Sequence, residues 1–177
     1  MLETKRLRLR KITPEDAPAI FGLRKNVRVH DFIYRPLQTK IEEAEDIVKR
    51  VENGWLTRQS IGWAAEHKET GTLLAACGFN RIEAENLRAE IGGEMHPDFW
   101  GKNFAQEGLG AIIRFGFETM NLHTVEARVI SGNRSAIALL ENNGFVQEGH
   151  LHEYGFFHGK SFDLLIFALR NPGHRIV

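Results

Sequence analysis

The run Glu90-Ile91-Gly92-Gly93-Glu94-Met95-His96-Pro97-Asp98-Phe99-Trp100-Gly101-Lys102-Asn103-Phe104-Ala105-Gln106-Glu107 decides the fold. Its first part belongs to a strand, Ala89–Met95, closed by His96-Pro97-Asp98. Its second part opens a helix in which Ala105, Leu109, Ile112, Ile113, Gly116, Phe117 and Met120 recur at helical spacing. A tight turn from strand to helix presents unpaired backbone N–H groups at the positive end of the helix dipole. Such a turn is an anion site and suits a pyrophosphate. Gly101 lets backbone approach a ligand, Lys102 adds charge, and Asn103 tolerates a left-handed conformation. Gly108-Leu109-Gly110 lies inside the helix and lacks the third glycine of a dinucleotide fingerprint, and no glycine run ends in the Gly-Lys-Ser/Thr of a P-loop.

Upstream, Arg6–Lys11 alternates as a strand with Leu7 and Leu9 on one face. Thr13-Pro14-Glu15-Asp16 starts a helix running to about Lys25. Thr39-Lys40-Ile41-Glu42 resembles a capping box for a second helix, with Gly54 as its stop. Ser60–His67 and Thr72–Ile82 are strands joined by a turn at Glu69-Thr70-Gly71. Downstream come a strand at Thr124–Ile130, a short helix at Ser135–Asn142 ending on Gly144, and two strands, Phe145–His152 and Lys160–Leu169, around His158-Gly159. Three successive strands between helices predict an α/β (α+β) mixed, mostly antiparallel sheet with helices on both faces. The chain reads as one domain over 1–170 with a loose tail over 171–177.

The 177 residues carry 23 Lys plus Arg against 23 Asp plus Glu, which predicts neither a nucleic-acid surface nor a polybasic membrane anchor. No run approaches the ~20 apolar residues of a membrane span. The N-terminus lacks the apolar core of a signal peptide. The single cysteine, Cys77, sits in an apolar run, reads as a small core residue and excludes an internal disulfide. A cytoplasmic location is the expectation.

Glu90–Glu107, then Val125-Glu126-Ala127-Arg128-Val129, Asn133, Ala138–Phe145, Glu148–His152 and Gly159–Asp163 in that order, resemble the Gcn5-related N-acetyltransferases (GNAT). Thr4–Arg10 fits their opening strand, and the likeness is greatest to the RimJ/RimL subgroup, which acetylates ribosomal-protein N-termini. The resemblance implies a sheet splayed between its fourth and fifth strands, here Ala89–Met95 and Thr124–Ile130, with the pantetheine arm of acetyl-CoA in the wedge. It implies that backbone of Glu94, Met95 and His96 pairs with the pantetheine. Amides of Gly101, Lys102, Asn103, Phe104, Ala105 and Gln106 would hold the pyrophosphate, and Asn133 would contact the cosubstrate. The implied activity is acetyl transfer to a protein N-terminus or to a small amine such as an amino sugar, polyamine or amino acid. A non-catalytic acyl-CoA-binding module is the alternative. Dimers are common in the family, so a homodimer is expected, without nucleic acid or membrane.

This chain departs from the family pattern at three positions. Asn103 stands where glycine is usual, which predicts weakened phosphate binding. Leu140 stands where many members carry a tyrosine acid. Ala136 stands where the subgroup often has serine, with Ser135 one place earlier.

An alkylammonium must lose a proton before it attacks a thioester, whereas a thiolate leaves without much help. Glu94, at the end of the wedge strand, is the expected base. Glu90, on the same strand face, is the alternative, and the two could act together through water. Tyr154 is expected as proton donor or substrate contact. Of Trp55, Trp63, Phe32 and Tyr34, the last two are expected to line the acceptor site. His150 and His152 share a strand face but supply too few ligands for a metal, so none is expected. Asp163 reads as structural.

Overall fold

The computed structural model describes residues 1 to 174. Eight strands form one sheet in the order β1-β2-β3-β4-β5-β6-β8-β7. They are β1 (Leu2–Glu3), β2 (Leu7–Lys11), β3 (Ile61–His67), β4 (Leu73–Glu83), β5 (Arg88–Met95), β6 (Thr124–Ile130), β7 (Val146–Phe157) and β8 (Lys160–Arg170). The helices are α1 (Ala17–Arg24), α2 (Val27–His30), α3 (Ile41–Thr57), α4 (Phe104–Arg114) and α5 (Arg134–Asn142). The short β1 and α2 were not read from the sequence. Because of β1, the fourth and fifth expected strands are β5 and β6.

Strand alternation sends side chains to two cores. Leu7, Leu9, Trp63, Phe79 and Ile91 pack with Phe104 and Ile112 of α4 and Leu140 of α5. Ile12 and Ala64 pack on the other face with Ile20 of α1 and Ala44, Ile47 and Val48 of α3. Each large side chain so buried contributes about 1.5–3 kcal/mol. Trp63 is 1% exposed, and Trp55 packs on it with its indole N–H on the Gly62 carbonyl at 3.0 Å. Both are core residues and lie outside any acceptor site. Cys77 is also packed in this core, where burial pushes its thiol up to about 12, which removes it as a nucleophile.

Several boundaries differ from expectation. Gly54 does not stop α3. It is buried within the helix, and a Cβ there would meet Ser60 Oγ at 1.9 Å. Arg58 ends the helix in the left-handed region, φ 59°. The acid that caps α3 is Glu43, not Glu42, accepting from the N–H groups of Thr39 and Lys40 at 3.0 Å each. The first tail residues are tied down: Asn171 N–H donates to His123 C=O at 2.8 Å and its side-chain amide to Leu122 C=O at 3.1 Å. Residues 175–177 of the expected tail lie outside the described residues.

The feature that positions the site is the β5–β6 seam. These neighbours are the parallel pair in the sheet, and they pair only over Arg88–Ile91 and Thr124–Ala127. Beyond Ile91 and Ala127 they diverge, while β5 stays paired with β4 as far as Met95. Two ion pairs cross the seam, Arg88–Glu126 at 3.2 Å and Arg128–Glu90 at 3.3 Å.

Candidate active site

The open wedge has free backbone on its β5 side. His96 N–H donates to Leu74 C=O at 2.8 Å, so even-numbered residues of this strand direct their backbone polar groups to β4. Odd-numbered ones face β6, as Leu87 does by accepting from His123 and Thr124. Gly93 and Met95 therefore present N–H groups to the wedge, and Gly93 is exposed there. This corrects the expected trio. Glu94 turns its backbone to β4. His96 spends its N–H on Leu74, and its C=O already accepts from Phe99 N–H at 3.0 Å. Gly93, which sequence reasoning passed over, takes their place.

At the wedge mouth, α4 begins on Phe104 after two left-handed residues, Gly101 (φ 71°) and Asn103 (φ 62°). Among the described residues, the N–H groups of residues 101–106 have no protein acceptor, and the helix ladder starts when Glu107 N–H reaches Asn103 C=O at 3.1 Å. Six amides in succession beside a helix dipole, with Lys102 exposed, make a cradle of the kind that suits an anion. Asn103 holds the conformation that glycine adopts without cost. Asn103→Gly is therefore expected to tighten acetyl-CoA binding about threefold, and Asn103→Val to weaken it roughly tenfold, as read by calorimetry.

The cradle is braced from behind by Glu107. Its carboxylate accepts from Thr4 Oγ1 at 2.5 Å, Arg6 N–H at 2.7 Å and Arg6 Nε at 2.8 Å, while the Arg6 guanidinium lies 4.1 Å from the Phe104 ring centre. Burial alone would raise the Glu107 pKa, but the Thr4 and Arg6 donors outweigh it and hold the carboxyl below its usual value. A depressed folded pKa gives stability that is present above the ordinary carboxylate value of about 4.3 and lost as pH falls through the folded value. Glu107→Gln is therefore expected to lower the melting temperature at pH 7 and to approach the native protein below about pH 4.

On the other side of β5, the chain from α2 to α3 crosses the end of the sheet. Phe32 meets Trp100 edge-on at 5.8 Å, and Arg28 lies over the same indole at 5.4 Å. Trp100 Nε1 donates to Met95 C=O at 2.9 Å, taking one of its two lone pairs. Tyr34 stacks on Phe157 at 5.3 Å and meets Phe162 at 4.9 Å. The loop thus joins the cradle to the β7–β8 hairpin, with Phe32 and Tyr34 as its two contacts. Tyr154 reaches the far side of this cluster, 6.5 Å from Phe162, but it is 52% exposed and its hydroxyl has no protein partner among the described residues.

Glu94 lies under this loop with its side chain only 4% exposed. Arg24 Nε donates to one oxygen at 2.7 Å, and Arg35 donates to the other. Both carboxylate oxygens are taken by guanidinium donors, so the environment suits an anchor more than a proton acceptor. Glu90 is not beside it. Four residues of strand separate the two by about 13 Å, and Glu90 is committed to Arg128 across the seam. The pair cannot share one water, so the expected joint action of Glu90 and Glu94 does not fit this geometry. Arg24, Arg35 and Glu107 were missed because their partners are distant in sequence, and Trp100 because its packing partners Phe32 and Arg28 are.

Asn133 caps α5, its Oδ1 accepting from Ala136 N–H at 3.1 Å, and its side-chain amide N–H groups have no protein acceptor among the described residues. Ser135 is exposed on the first turn of α5, and Leu140 is buried in the core with no titratable group. His150 Nε2 and His152 Nδ1 lie 2.7 and 3.2 Å from Asp163 Oδ2, and Glu153 N–H donates to the other oxygen at 2.9 Å. The trio lies at the β7 bulge and brings three potential ligand atoms within 4.8 Å of one another, so the expectation that the two histidines stand without a third ligand is corrected.

A family model described as an acetyltransferase (GNAT) domain matches residues 6–146. The chain belongs to the GNAT acetyltransferase family. As a GNAT member it is an acetyl-CoA-dependent N-acetyltransferase. It is 34% identical to the N-acetyltransferase p20 of Bacillus licheniformis, over 95% of this chain and 94% of that one. It is 27% identical to the spermidine N(1)-acetyltransferase of Vibrio cholerae over 89% of each. The ribosomal-protein-S5-alanine acetyltransferase of Vibrio fischeri superposes with a TM-score of 0.84 at 18% identity, covering 98% of both chains, which shows the shared GNAT fold. Among the described residues no helix is long and apolar enough to cross a membrane.

Proposed function

We propose that this chain transfers acetyl from acetyl-CoA to a primary amine by direct attack on the thioester. The observation that carries this is the wedge: β5 leaves β6 after Ile91, and the N–H groups of Gly93 and Met95 face the opening. The pantetheine adds to β5 as a strand would, on Gly93 and Met95. The pyrophosphate sits on the amides of residues 101–106, and an Asn133 amide N–H donates beside it. Met95 N–H is placed to stabilise the oxyanion that develops on the thioester carbonyl.

The amine enters under the loop that carries Phe32 and Tyr34. Its proton leaves through water, and Glu94 acts by holding Arg24 and Arg35 in place. The thiolate departs without a tyrosine acid because its pKa, about 8.5, already makes it a good leaving group. Leu140 therefore does not argue for a binding-only protein. The relatives' names include both a spermidine and a ribosomal-protein acetyltransferase, so sequence likeness leaves the acceptor class open.

The test offers acetyl-CoA with a panel of amines and N-terminal peptides and follows free thiol. Amine-dependent release is expected. Calorimetric binding of acetyl-CoA with no release from any amine would instead make the chain an acyl-CoA-binding module.

A further inference from the structure

The acceptor side of β5 carries more positive than negative charge. Glu94 has two guanidinium partners, and each spends only one nitrogen on it. The remaining N–H groups of Arg24 and Arg35 have no protein acceptor among the described residues, and Arg35 Nε is fully buried without one. The side chains are 25% and 22% exposed, so neither charge is freely hydrated. Burial pulls the Arg24 pKa down, Glu94 pushes it back up, and nearby Arg35 and Arg50 lower it again. His30, 9% exposed, is also held below its usual value by burial and by Arg35, so it is neutral at pH 7, and its Nε2 is unpartnered.

Two acids remain nearby. Asp31 is exposed, and Asp98, 72% exposed, stands 3.9 Å from Arg28 on the rim. Neither reaches the buried guanidiniums. Arg50 also lines a cleft of about 520 Å³ between α3 and the strand ends where β3 starts and β4 finishes, with Asn53, Asn80, Arg81 and Glu83. Asn80 covers Gly92, where a Cβ would meet its side-chain nitrogen at 2.3 Å. Gly92 is two residues before Glu94 on the same face of β5, about 7 Å away. The cleft is thus a neighbour of the guanidinium pair and is not lined by it.

A partly buried excess charge with unspent donors calls for an anion. We propose that Arg24 and Arg35 bind an anionic group of the acceptor, so that the acceptor is a small amine carrying a carboxylate or a phosphate. This rests on the amine-acetylation reading above. The same positive charge disfavours the protonated form of a bound amine, which eases loss of its proton. It repels a polyamine, whose second ammonium would meet the same two guanidiniums.

The test compares amino acids and aminoalkyl phosphates with amino alcohols and alkylamines of matched length, with spermidine, and with N-terminal peptides lacking acidic residues. The full chain and acetyl-CoA are used, and free thiol is followed. An anionic amine is expected to exceed its neutral match at least tenfold in kcat/KM, with spermidine lowest. The two anionic arms decide between carboxylate and phosphate. Arg35→Gln, checked for folding by its melting temperature, should abolish the preference by raising the KM for the amine, with the KM for acetyl-CoA unchanged.

Equal or better use of neutral amines, spermidine or the non-acidic peptides overturns the proposal. If no amine releases thiol, the transfer reading fails and the anion site is read separately. Calorimetry with glycine and with inorganic phosphate, in the presence of CoA, should then show binding to the native protein and none to Arg35→Gln. No binding to the native protein overturns the site.

Discussion

Replacing Glu94 with Gln is expected to lower kcat/KM for the amine about 100-fold while leaving the acetyl-CoA affinity unchanged. Glu94 is the carboxylate shared by Arg24 and Arg35, and its side chain is 4% exposed. A neutral amide leaves the two guanidiniums to repel each other. Breaking a deeply buried pair typically costs 3–5 kcal/mol; with both arginines still partly hydrated, about 2 kcal/mol is expected here. That corresponds to a melting temperature lower by about 4–8 °C. The pH profile separates the two roles open to Glu94. An anchor leaves the acid limb of kcat/KM in place, and a general base takes that limb away with it. Loss of the limb would return Glu94 to the proton path.

Trp100→Ala is expected to raise the KM for both substrates about tenfold and to cost about 2 kcal/mol of stability. One indole serves three neighbours: it donates to Met95 C=O, packs against Phe32, and lies under Arg28. Removing it loosens the turn before α4, the end of β5 and the loop between α2 and α3 together. Trp100→Phe separates the ring from its donor. It should keep the acceptor KM near native, because Phe32 still has a face to meet, and perturb only the Met95 carbonyl. A tenfold loss for the acceptor in Trp100→Phe would show that the N–H bond, not the packing, orders the loop.

Most of the scaffold was readable because it is periodic. Ile61, Trp63 and Ala65 alternate, and the stripe from Ala105 to Met120 repeats at helical spacing, so burial itself writes these elements into the sequence. That stripe does not stay α-helical to its end. The chain widens into a π turn at Phe115–Thr119, where Gly116 lies against Phe79, a contact no local pattern encodes. Asn103 was legible as a left-handed residue because few side chains other than glycine take that backbone. The partners of Glu94 were not. Arg24 and Arg35 lie 70 and 59 residues away and come from a helix end and a loop without period. Glu107 likewise meets Thr4 and Arg6 across more than a hundred residues. The wedge strand could be placed, but which of its amides face inward depends on the register with β4. The sequence reading therefore chose His96 where the sheet offers Gly93.

The short contact between β5 and β6 has a mechanical meaning. β1–β5 and β6–β8 are two slabs, each zipped internally along its strands, joined by four backbone pairs and two arginine–glutamate clasps. A ligand strand laid in the gap would complete the ladder. At a hundred times its dissociation constant it would add about 2.7 kcal/mol to the stability of the whole. On the proposed binding mode the cosubstrate would be a piece of the architecture as well as the acyl donor, extending the contact between the two halves of the sheet.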